Sequence, residues 1–185
     1  MKSMPVGTIA VVAALVTALG SAVASAQQDK YTVKVPGGLA FSEFKGYESW
    51  QSVSVSYDNG ALAVILANAV MIDAYLAGIP GNGKPFPEGS MLAKVHWVPK
   101  QMATFPGATV PARQANVDFM VKDSKRFADS GGWGWGSFER DSATGAFRPG
   151  TLSDRPPQGN DAKCGFTCHT IAKARDYVFT EYGGR

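Results

Sequence analysis

Cysteine and histidine are both scarce: the 185-residue chain has two of each. Two cysteines, four positions apart, allow at most one disulfide, and His96 and His169 are the only imidazoles able to serve as metal ligands. Past residue 26 no apolar run approaches the roughly 20 residues that a membrane-spanning helix requires, which excludes a helical span in the body of the chain. Charge of one sign is lacking too. The net charge is only +3, so nothing points to nucleic acid or an acidic membrane as partner. There is no internal repeat. What is abundant is glycine, at 21, with 11 prolines, a composition of many turns that argues against a helical bundle.

Residues 1–26 read as a cleavable secretory signal: Lys2, the apolar run Val6–Leu19, then small residues ending Ala24-Ser25-Ala26. Cleavage is expected before Gln27. The mature chain, residues 27–185, then has the size of one domain with its own core and is expected to be soluble and extracytoplasmic. Without Lys2 it carries 17 basic against 15 acidic side chains.

From Trp50 to Tyr57 the chain alternates Gln51, Val53, Val55 and Tyr57 against Ser52, Ser54 and Ser56, the period of a half-buried strand. Asp58-Asn59-Gly60 predicts a hairpin turn into a second strand, Ala61–Ala67. Asn68 can cap a helix through Tyr75, with Val70, Met71, Ala74 and Tyr75 inward and Gly78 ending it. Further alternating stretches lie at about 90–98, 114–121 and 133–140, and a helical pattern runs from His169 to Tyr182. The predicted fold class is α+β: an antiparallel sheet of about five strands with a few helices, and a site at one end of the sheet beside the last helix. In the third strand Leu92, Lys94, His96 and Val98 share one face; in the fourth, Asp118 and Met120 oppose Val117, Phe119 and Val121.

Cys164-Gly165-Phe166-Thr167-Cys168-His169 is the segment with the most chemistry. Two thiols followed directly by an imidazole can hold a haem through thioether bonds and ligate its iron, and here the spacer is one residue longer than in the usual C-x-x-C-H signature. A disulfide is the alternative. Cysteines four apart on a helical turn lie about 6 Å apart at Cα, within bridging range, and an exported protein meets oxidising conditions.

Four features together resemble the cytochrome P-460 family: Phe86-x-x-Gly89-x-x-x-x-Lys94, the run Val121–Ala128, an aromatic strand near Trp133, and Cys-His followed by Val178-Phe179-Thr180. The resemblance extends from about Trp50 to the C-terminus. It implies a periplasmic, usually homodimeric, mostly β protein with one haem c. It also implies roles for particular residues. Cys164 and Cys168 would attach the haem and His169 would be the proximal iron ligand. Lys94 matches a lysine that is cross-linked to the haem ring in hydroxylamine-oxidising members, and Asp118 stands where those members carry a distal-pocket carboxylate.

On that resemblance the expected activity is hydroxylamine oxidation to nitrous oxide or nitric oxide at an open iron site. Asp118 would be the catalytic base, Lys94 the group that alters the ring, and a soluble cytochrome the electron acceptor. His96 is expected to be a hydrogen-bonded structural residue, the four methionines after residue 27 core filling, and Trp133 and Trp135 core or pocket wall. Two other readings stand beside this one. A cytochrome c′-β-like protein would bind nitric oxide or carbon monoxide behind an aromatic cap, for which Phe86 or Phe119 are candidates. A haem-free relative would carry the disulfide instead.

Overall fold

The computed structural model describes residues 28–37, 39–153, 155–160 and 165–183. The signal segment and its cleavage point lie outside them, and so does Cys164. An antiparallel sheet of six strands forms the frame: β1 Gln51–Asp58, β2 Ala61–Ala67, β3 Met91–Met102, β4 Phe105–Lys122, β5 Trp133–Arg140 and β6 Phe147–Pro149. Every strand pairs with its neighbour in sequence. This meander is the antiparallel sheet expected, with six strands in place of about five. The sixth is a three-residue edge, too short to leave a period in the sequence.

Asn59 and Gly60 make the first turn with φ of 48° and 75°, the left-handed pair that a two-residue hairpin requires. Asn68 does cap α1 (Ala69–Leu76), its Oδ1 accepting from Met71 N at 3.1 Å. The inward face differs by one residue: Ile72 is buried, whereas Val70 is exposed. The expected last helix is shorter than its pattern. A helical turn, α2 (Phe166–His169), runs into a 3-10 helix over Thr170–Arg175, and Asp176 and Tyr177 then turn left-handed, so the helix ends before Val178.

The two faces of the sheet carry separate cores. On one, Ala93, Val95, Val117, Phe119 and Phe138 pack against Leu39, Phe41 and Phe44 from the segment before β1. The Phe41 ring is the hub, 5.2 Å from Phe119, 4.9 Å from Phe138 and 5.0 Å from Phe147 by centroid. Edge-to-face geometry of this kind adds to what burial alone contributes. On the other face, Ala67, Leu92, Met120, Trp133 and Trp135 are covered by α1, Phe86 and Val178. The C-terminal segment therefore lies over a sheet face rather than at the end of the sheet.

β1 does not follow its alternation. The register slips between Ser52 and Ser54, leaving Val53 as the extra residue of a β-bulge. Val53 enters the second core, while Val55 and Tyr57 are 62% and 65% exposed. Ser54, opposite Ile65, and Ser56, opposite Ala63, are turned onto the face that the C-terminal segment covers.

Candidate haem site

Between that face and the C-terminal segment is a cavity of about 510 Å³. β1 contributes Ser54 and Ser56, and β2 and β3 contribute Ile65, Leu92 and Lys94. Asp118 and Met120 come from β4, Trp135 from β5, and Cys168, His169, Phe179 and Thr180 from the C-terminal segment. Lys94, Asp118 and the Cys168-His169 pair, far apart in sequence, thus meet in one space. Pairing accounts for the first two. Lys94 is the cross-strand partner of Asp118, and His96 that of Asn116, so four polar side chains form a block on one face.

Within the block, Asp118 has a neighbour at each oxygen. Asn116 Nδ2 donates to Oδ1 at 3.0 Å, and His96 Nε2 stands 2.9 Å from Oδ2. The second contact has ion-pair distance but the ring N–H is out of line for a hydrogen bond. His96 therefore adjoins Asp118 without the hydrogen bond expected of it. His96 thus supports Asp118 from beside the cavity rather than lining it.

His169 sits in an aromatic slot, its ring 4.3 Å from that of Trp135 and 4.8 Å from that of Phe179. Nδ1 lies 2.6 Å from the carbonyl oxygen of Tyr177. A carbonyl can only accept, so Nδ1 carries the proton, and in the neutral ring Nε2 keeps its lone pair. Burial pushes the His169 pKa down; the Tyr177 bond and the Asp118 carboxylate oppose this, and the Lys94 ammonium reinforces it. Each of these features suits an imidazole that coordinates a metal in its neutral form. Trp135 is seated in turn by Gln158, whose Oε1 accepts from Trp135 N at 2.6 Å and whose Nε2 donates to Trp135 O at 2.5 Å. A Cβ on Gly159 would lie 2.4 Å from Trp135 Cβ, so the loop can pass this close only as glycine.

Neither aromatic cap candidate turns its ring to the cavity, although Phe119 borders it. Phe86 is buried against Tyr75 and Trp133, with ring centroids at 5.1 and 6.1 Å. Phe119 directs its ring to the opposite face, stacked on Phe44 at 4.0 Å. Both are core residues.

Among the described residues no cluster of three or more His, Cys, Asp or Glu could hold a bare metal ion. What the cavity offers is one imidazole nitrogen, a thiol beside it and a largely apolar wall, a donor set that fits a metal arriving with its own planar ligand. The family model for Cytochrome P460 matches residues 44–180. The chain belongs to the cytochrome P460 family. It is accordingly a haem c protein, of a family that is typically periplasmic, and among its described residues no helix is long and apolar enough to cross a membrane. Among curated proteins none matches it. The family match starts inside the segment before β1, so Leu39 and Phe41, central to the first core, precede it.

Ser54 and Ser56 were not legible as site residues, because alternation assigned them to the solvent side and a bulge leaves no mark in the residue pattern. Trp135 was legible as wall, but not as the neighbour of His169.

Proposed function

We propose that the protein oxidises hydroxylamine at a single haem c. The observation that carries this reading is the convergence of His169, Cys168, Lys94 and Asp118 on one cavity. His169 would ligate the iron through Nε2, Cys168 and Cys164 would form the thioether bonds, and Lys94 would bond to the ring edge. When bound, the haem would supply the electron acceptor and an iron able to take the substrate. The chain supplies the rest. Asp118, fixed by Asn116 and adjoining His96, takes protons from the bound substrate as its electrons leave, so that charge does not accumulate in a space walled by Ile65, Leu92 and Met120. Ser54 and Ser56 give the opening polar groups for a small hydrophilic substrate. A soluble cytochrome would receive the electrons, in a periplasmic setting and with the protein as a homodimer. The gas-binding alternative is less well supported, because neither Phe86 nor Phe119 turns a ring to the cavity.

The test is an intact mass of the denatured protein, made with cytochrome c maturation machinery, together with ferric and ferrous spectra and hydroxylamine turnover. Retained haem mass with a strongly red-shifted Soret band is expected, and Lys94→Leu should keep the haem mass, return the Soret band to an ordinary c-type position and abolish turnover. An ordinary spectrum in the unaltered protein, without turnover, would favour a gas binder. A mass two protons below the apoprotein would mean a Cys164–Cys168 disulfide and no haem.

A further inference from the structure

Lys122 is buried at 6% exposure, yet it lies on the cavity's sheet face, one strand-face step beyond Met120, and no part of the proposed chemistry uses it. Its three ammonium donors are fully engaged. Nζ donates to Asp176 Oδ1 at 2.8 Å and Oδ2 at 3.0 Å and to the carbonyl of Gly131 at 3.1 Å, and it stands 5.1 Å from the centre of the Trp133 ring. Asp176 Oδ2 also accepts from Phe86 N at 2.8 Å. A buried ion pair is weak grounds for stability, since desolvation offsets much of the attraction, but it can impose one geometry.

The geometry imposed here is unusual. Asp176 and the next residue, Tyr177, both have left-handed backbone, φ 50° and 65°, without glycine at either position. That double bend stops the 3-10 helix and aims the Tyr177 carbonyl at His169 Nδ1, 2.6 Å away. The surroundings are shaped to it. A Cβ on Gly131 would come within 2.2 Å of the Tyr177 ring, so that glycine leaves room for the arrangement.

We propose that Lys122 and Asp176 are positioning residues for the iron ligand: their buried pair holds the Asp176–Tyr177 bend, and the bend sets the carbonyl that orients His169 and fixes its tautomer. A strong bond at Nδ1 makes the imidazole a more electron-rich ligand, so this pair tunes the iron from a distance. The inference rests on the reading of His169 as the haem ligand.

The test is resonance Raman of the ferrous, haem-loaded protein, reading the iron–histidine stretch, with the reduction potential alongside. Lys122→Met combined with Asp176→Asn removes both charges and leaves neither buried alone. The expected result is a stretch at lower frequency, broadened over several orientations, and a higher potential; Lys122→Arg, which keeps a charged donor, should restore the wild-type band. A double variant with wild-type band and potential would overturn the proposal, however far its melting temperature falls. Should that variant not fold, Asp176→Asn alone, which keeps an oxygen for Phe86 N, is read by the same two criteria. His169→Ala separates the two levels of argument. A stretch that survives it sinks the ligand assignment, whereas a His169-dependent stretch indifferent to the pair sinks only this inference.

Discussion

Asp118 shows what a side chain gains from its strand neighbours. An aspartate on a strand is ordinarily solvated, but this one is 12% exposed in its side chain, with Asn116 on one oxygen and His96 near the other. A carboxylate so fixed need not reorganise before taking a proton. Asp118→Asn keeps the shape and removes the basicity, and it should lower hydroxylamine turnover by roughly 10²–10⁴-fold while leaving the Soret band in place. Stopped-flow turnover with parallel spectra decides this, and an unchanged rate would remove the proposed base. Lys94 and Asp118 were singled out by the family resemblance, and His169 by its place directly after Cys168. Lys122 lay within the run Val121–Ala128 but gained a role only when folding placed it against Asp176, 54 positions away.

Asn68 and Tyr75, at the two ends of α1, tie that helix to the rest of the fold. Besides capping the helix, Asn68 Oδ1 accepts from Met91 N at 3.1 Å and its Nδ2 donates to Gly89 O at 2.8 Å, so one amide joins α1 to the start of β3. Asn68→Ala deletes all three bonds and should destabilise the protein by about 2 kcal/mol in urea unfolding. Tyr75 Oη meets Thr180 Oγ1 at 2.9 Å, and burial, the largest influence, pushes the phenol up from 10.0 to about 12. The folded state therefore keeps the proton longer than the unfolded chain does. The stabilisation is complete below pH 10 and is lost as the pH rises from 10 toward 12. Over that window the wild type should lose roughly 2 kcal/mol more than Tyr75→Phe, measured as the difference between their urea midpoints. The hairpin turn and the α1 cap were readable because their signals are local. The end of the last helix was not, because a long-range ion pair stops it where the pattern would let it run on.

Across the whole molecule the two cores have different tasks. The Phe41 side closes one sheet face with side chains alone, whereas the other face leaves about 510 Å³ between the sheet and the C-terminal segment. A haem held there would add to the contacts by which Val178 and the Lys122–Asp176 pair already join segment and sheet, and its binding energy would stabilise whatever closes over it. Haem-free protein, produced without maturation machinery, should keep amide-exchange protection in β2 to β5 but lose it over residues 165–183; hydrogen exchange by mass spectrometry reads both regions at once. Equal protection with and without haem would show the segment to be held by Val178 and Lys122 alone. By itself the sequence determined the first strand pair and its turn, the α1 cap, the cysteine–histidine motif and the family, because each is written in neighbouring residues or fixed spacings. Tertiary structure alone decided which face those strands present around the Val53 bulge, which aromatics stand beside His169, and what orients its ring. These depend on register and on contacts between distant segments, and a periodic pattern carries no record of either.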